Sequence, residues 1–150
     1  MGLDNYPRRY PCKAKGTAVL DGEGRIDCDA TQGAGGCPWQ RANLGDGAVY
    51  GLFGVPCWYR GKVGTWMINA VIEAGGSLPE EVSGGFYGDG EDELSPDYCN
   101  TLAGWLEDHG ELFLSTLPES ERAGAAIEYR YAARWLRWTA EHGDGAHAWW

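Results

Sequence analysis

Residues 54–65 read GVPCWYRGKVGT, and the chain changes character across this stretch. Upstream, the sequence is rich in glycine, proline and cysteine. Downstream, Val63, Trp66, Met67, Ala70, Val71 and Ala74 recur at the three- and four-residue spacing of an amphipathic helix, and Gly75-Gly76 stops it. The upstream part reads as β structure. Residues 16–20 and 25–29 flank Asp21-Gly-Glu-Gly24, whose Asp-Gly step accepts the positive φ of a tight hairpin. Residues 48–53, Ala-Val-Tyr-Gly-Leu-Phe, are β-branched and aromatic enough for a third strand. The expectation is a single α+β domain. A Cys-rich β unit over residues 1–60 packs on about three helices over 61–143, and 144–150 form a tail.

Two further helices are marked at their starts. Ser95-Pro96-Asp97 sets a capping hydroxyl before a proline at the first helical position. Tyr98, Leu102, Trp105 and Leu106 then give a buried stripe, which His109-Gly110 ends or bends. Residues 116–119, Thr-Leu-Pro-Glu, have the spacing of a capping box, and a long helix is expected from about Pro118 to His142. Its Arg130, Arg134 and Arg137 share one face, positioned to pair with acids elsewhere. The tail carries Trp149 and Trp150, whose apolar area ought to be buried on the protein's own core or, through self-association, on another chain.

Charge is distributed unevenly. The net charge is −10, yet residues 1–62 hold eight Lys and Arg against six Asp and Glu, while 63–121 hold thirteen acids and no Lys or Arg. Free nucleic acid and anionic membrane are repelled by such a middle, so neither is expected as a partner. A partner with a basic surface fits better. The segment 77–94, SLPEEVSGGFYGDGEDEL, concentrates the acids around two aromatics, and Phe86, Tyr87, Asp89, Glu91, Asp92 and Glu93 are the candidate contact residues. Phe86 and Tyr87 either tuck beneath the loop or present the contact. The start of the chain lacks a basic segment followed by an apolar one, and no run of 18 apolar residues occurs, so a cytoplasmic location is expected.

Four of the five cysteines, Cys12, Cys28, Cys37 and Cys57, fall in the Gly-rich first part. In a reducing compartment such clustering favours a metal over disulfides, and zinc held by four thiolates would supply folding energy to a segment short of core. Three of these thiols adjoin prolines, in Pro11-Cys12, Cys37-Pro38 and Pro56-Cys57. No Cys-x-x-Cys pair is present, so each ligand comes from a separate loop, and ordinary thiols or disulfides stay open as alternatives. Cys99 lies in the helical part as a core residue.

The stretch at 54–65 also admits chemistry of its own. It fails as a phosphate loop, since Lys62 is followed by Val63 where a hydroxyl is needed. Cys57 with Arg60 nearby has the setting of an activated thiol, but a base is required and nothing ties His109, His142 or His147 to it. Arg60 and Lys62 stand at the positive end of a helix, where cations are disfavoured, which marks a possible anion site.

The segments MGLDNY, CWYRGK and FYG…LSP resemble a group of small proteins found in bacteriophages and actinobacteria. The resemblance covers most of the chain in outline and carries no activity with it. It implies a phage-encoded accessory protein made in the host cytoplasm, or a virion component. The expected role is therefore a non-enzymatic, zinc-stapled interaction protein with an acidic partner-binding face. A small enzyme using Cys57 and Arg60 and a structural virion component are the alternatives.

Overall fold

A computed structural model describes residues 2–39 and 55–150. The fold is α+β, as expected, but its sheet is built from segments other than those the sequence patterns suggest. Strands β1 (Asp4–Pro7), β2 (Glu93–Leu94) and β3 (Ala146–Trp149) form one antiparallel sheet in the order β1-β3-β2. The tail is thus the central strand. Its partners in register are Asp4 opposite Trp149 and Pro7 opposite Ala146 on one side, and Glu93 opposite His147 on the other. Ala146 and Ala148 point inward and are buried, because small side chains let the sheet lie close on the helices. Trp149 and Trp150 remain 58% and 60% exposed, so they are not buried on the protein's own core. Gly145 makes the sharp entry to β3 with φ +84, where an added Cβ would strike the carbonyl of Leu94.

The predicted hairpin around Asp21 is reduced to a single bridge between Leu20 and Ile26. Beyond it the backbone turns into a helix, because Asp27 accepts the amide of Ala30 at 3.0 Å and caps α2 (Cys28–Gly33). Cys28 is therefore a first-turn helical residue, not a strand residue. A shorter helix, α1 (Pro11–Ala14), precedes it with proline at its first position. The predicted third strand at 48–53 lies outside the described residues.

The helical part follows the sequence closely. Helix α3 (Gly61–Glu73) leads through two 3-10 turns, Glu80–Val82 and Gly85–Tyr87, to β2. Helix α4 (Pro96–Ser115) is capped by Ser95, whose hydroxyl accepts the amide of Tyr98, and it continues past His109 and Gly110. Gly110 does not end it. It is a packing glycine, since a Cβ there would collide with the ring of Tyr129 on α5 (Glu119–His142). The capping box expected at 116–119 does not form; Thr116 instead donates to the carbonyl of Phe113 at 2.7 Å, and α5 starts after Pro118 without a side-chain cap.

The core lies where α3, α4 and α5 meet the sheet, around Tyr59, Phe86, Leu102, Tyr131, Trp135 and Leu136. The buried face of α3 is Gly61, Gly64, Met67, Ile68 and Val71. Trp66, expected inside, stays half exposed and leans edge-on against Phe113 at 5.2 Å. The apolar pattern misplaced the inner face because two of its members are glycines. The ring of Phe86 fills the space above Gly64 that a side chain would need.

Candidate functional site

The four N-terminal cysteines are brought together by hydrogen bonds between their loops. The Cys12 carbonyl accepts the amides of Thr17 and Ala18 at 2.8 and 3.2 Å, and the Thr17 hydroxyl donates to Gly36, one residue before Cys37. Thr31, buried on α2, accepts the amide of Val19 at 2.9 Å and donates to the carbonyl of Asp27 at 2.7 Å. The loop after α1 is thereby fastened to both ends of α2. These bonds draw Cys12, Cys28 and Cys37 into one neighbourhood.

Two tryptophan contacts then join the unit to α5. Trp39, two residues beyond Cys37, is buried edge-on against Trp138 at 4.4 Å and Tyr131 at 6.1 Å. The indole N–H of Trp135 donates to the carbonyl of Cys57 at 2.9 Å. Trp58 donates to the hydroxyl of Tyr10, the residue that starts α1, at 3.1 Å. Cys57 is thus fixed between α5 and the loop of Cys12.

The electrostatics show the same grouping. Burial pushes the Cys57 thiol far above its ordinary value, and negative charge on Cys37, Cys28 and Cys12 would push it further. Cys28 is raised first by burial and then by Cys12 and Cys37. Cys37 is raised by burial, with Cys12 adding, while a contact with Trp39 works the other way. Each sulfur therefore lies within electrostatic reach of others in the set. They are neighbours, not a closed cage: among the described residues no three His, Cys, Asp or Glu side chains stand at metal-holding distance. Cys99, by contrast, is fully buried in α4 against Leu94 and Thr139, where burial lifts its thiol to about 11.

A buried neutral thiol is a poor nucleophile, so the setting of Cys57 does not favour the activated state that Arg60 suggested. The imidazoles have other work. His109 is stacked on Trp105 at 4.5 Å, His142 lies beside Trp138, and His147 faces Tyr6 and Glu93 on the sheet.

The other predicted residues divide. Arg60 and Lys62 are exposed at the start of α3, but the chain itself occupies the helix end. The side chain of Asn5 sits over Gly61, and the amide of Lys62 donates to the carbonyl of Leu3 at 3.1 Å. Phe86 is fully buried against Tyr59 at 5.3 Å, so it is a core residue and not a contact residue. Asp89 organises its own loop by accepting the amides of Glu91 and Glu93. Glu93 is engaged by Arg8 at 3.5 Å and His147 at 3.7 Å. Tyr87, Glu91 and Asp92 remain exposed, and Asp92 accepts the indole N–H of Trp150 at 3.2 Å. Among the expected arginine pairings, Arg137 meets Glu107 through two bonds of 2.7 and 3.0 Å.

Sequence reasoning missed Tyr6, Trp58 and His147, whose rings line the outer face of the sheet beside Trp149. The alternation of Ala146, His147, Ala148 and Trp149 was the available signal. No helix among the described residues is long and apolar enough to cross a membrane. In comparison with known proteins, the chain matches no family model, no curated protein and no solved structure.

Proposed function

We propose that this chain is a non-enzymatic interaction protein whose N-terminal unit is stapled by one zinc ion at Cys12, Cys28, Cys37 and Cys57, and whose acidic loop meets a partner with a basic surface. The approach of four cysteines from four separate segments, two of them short helices, to within electrostatic reach of one another carries the reading. Hydrogen bonds fix the backbones of those segments, while each sulfur can still swing between staggered χ1 wells to close on a cation. Zinc would replace mutual repulsion of thiolates with four favourable bonds and hold a region that buries few side chains. If the resemblance to phage proteins holds, such a molecule would be made in a host cytoplasm, where thiols stay reduced and available to metal.

Elemental analysis of protein purified without chelator, combined with thiol titration, tests the staple. One zinc per chain is expected, with no thiol reactive in the native state and all five reactive after denaturation with a chelator. Metal-free protein whose four N-terminal thiols react freely while the fold persists would remove it.

A further inference from the structure

The sheet ends in a ridge of exposed aromatic rings. Trp149 leans edge-on against Trp58 with centroids 6.3 Å apart, and Trp58 in turn packs on Tyr6 at 5.5 Å. On the other side of the strand end, Trp150 meets Tyr87 edge-on at 5.4 Å, and Tyr87 is 40% exposed. These rings are held in place. Trp149 belongs to the central strand, and the indole N–H of Trp150 is anchored on Asp92. Ordered tryptophans that keep more than half of their surface in water mark a contact surface more than a packing accident.

Charge selects what covers it. Asp92 touches the ridge, Glu91, its neighbour in the chain, is exposed, and the acid-only segment 63–121 supplies both. Arg8, the cation just beyond β1, is engaged by Glu93. An anionic membrane surface is therefore repelled, and a cation is attracted both by the carboxylates and by the negative faces of the rings. Strand addition is closed at both edges, since Asn5 of β1 exchanges two hydrogen bonds with Tyr59, and Asp89 donates to the carbonyl of Glu93 in β2. Recognition must use side chains. Among cations, a guanidinium is planar, weakly hydrated and able to stack on indole while its edge donates to a carboxylate.

We infer that Trp149, Trp150 and Tyr87, with Glu91 and Asp92, form a surface that takes arginine side chains from a basic protein segment. The inference rests on the basic-partner reading above and adds the chemistry of the contact. Arginine would lie flat on an indole face, with Glu91 and Asp92 receiving its N–H groups.

Calorimetric titration of the full chain with octa-arginine and octa-lysine peptides at near-physiological salt tests it, using two variants whose folding is checked by circular dichroism. In one, Trp149→Leu and Trp150→Leu keep apolar bulk but remove the π faces. In the other, Glu91→Gln and Asp92→Asn remove charge while keeping size, and asparagine tolerates the φ of +60 at position 92. The leucine pair should weaken octa-arginine binding on the order of twentyfold and octa-lysine binding distinctly less. Octa-arginine binding unchanged in the leucine pair, with loss in the acid-neutralised pair, would overturn the aromatic surface and leave the basic-partner reading standing. No binding of either peptide to the unmodified chain would overturn both. If sedimentation instead finds a dimer that the leucine pair dissolves, and peptides do not compete, the ridge joins two copies of this chain and the inference is wrong.

Discussion

The N-terminal unit and the α4–α5 hairpin solve the problem of folding in opposite ways. Between Arg8 and Trp39 the helices are four and six residues long, and the only buried residues are Pro11, Cys12, Thr31 and Trp39. Its shape is set by backbone and threonine hydrogen bonds, each with a net stabilisation of only about 1 kcal/mol. Helices α4 and α5 run for 20 and 24 residues and bury Cys99, Leu102, Ala103, Leu106, Phe113, Tyr131, Trp135 and Leu136 between them and the sheet. Burial of apolar surface drives the second region, at roughly 25 cal/mol per Å². The first region has geometry without that driving force, so it depends on what it is fastened to.

The fastening to α5 is where the contrast breaks most easily. Trp135 is fully buried, stacks on Tyr59 at 5.3 Å and donates to the carbonyl of Cys57. Trp135→Ala should cost about 3–5 kcal/mol in urea unfolding, with hydrogen exchange rising first in residues 10–37. Trp135→Phe keeps most of the volume and orphans one carbonyl, so a loss of about 1–3 kcal/mol is expected. Equal exchange protection of both regions in Trp135→Ala would show that the N-terminal unit stands without this bolt.

Glycine substitutions sharpen the same comparison inside the hairpin, because two helical glycines should respond with opposite sign. Gly110 of α4 lies against the ring of Tyr129, where a Cβ does not fit. Gly110→Ala should therefore destabilise by about 1–3 kcal/mol despite alanine's better helix propensity. Gly124 of α5 has open space around it, so Gly124→Ala should stabilise by about 1 kcal/mol. Thermal unfolding of the two variants decides the matter. A stabilising Gly110→Ala would mean that α4 and α5 are not as closely apposed as their glycine contact requires.

The contrast also explains what could be read from the sequence. The helical part was legible because its signals are local: Ser95-Pro96 fixes a start, and the apolar period fixes a length. The sheet was not, because Asp4 pairs with Trp149 from the far end of the chain and neither strand exceeds four residues. No local pattern specifies such a pairing. The inward residues Ala146 and Ala148 are too small to announce a core strand, and the tryptophans, large enough to suggest burial on that core, stay exposed. In the candidate metal site the clustering of the four cysteines and their adjoining prolines suggested a shared set, and the structure brings them within electrostatic reach of one another without closing a metal-holding group among the described residues. Their exact turns were not readable, since Cys28 was drawn into a helix by the Asp27 cap. Phe86 was ambiguous between core and contact, and Gly64 of α3, which makes room for its ring, carries no hydrophobic signal.

The smallest effect tests whether charge contributes to the hairpin at all. Arg137 grips Glu107 through two hydrogen bonds, and both side chains are 46% exposed. That hydrogen bond, opposed by modest burial and helped by the nearby charge, holds the Glu107 carboxyl below its ordinary 4.5. A carboxyl lowered in the folded state contributes stability above its unfolded value and loses it as pH falls through the folded value. A double-mutant cycle of Glu107→Gln and Arg137→Gln should give a coupling of about 0.2–1 kcal/mol at pH 7, since water screens the pair. That coupling should fade as the pH drops from 4.5 and vanish in acid once Glu107 is protonated. High salt should reduce it at pH 7 as well. A coupling that persists unchanged in acid would mean that the pair acts through packing of its aliphatic stems, and the hairpin would then rest on burial alone.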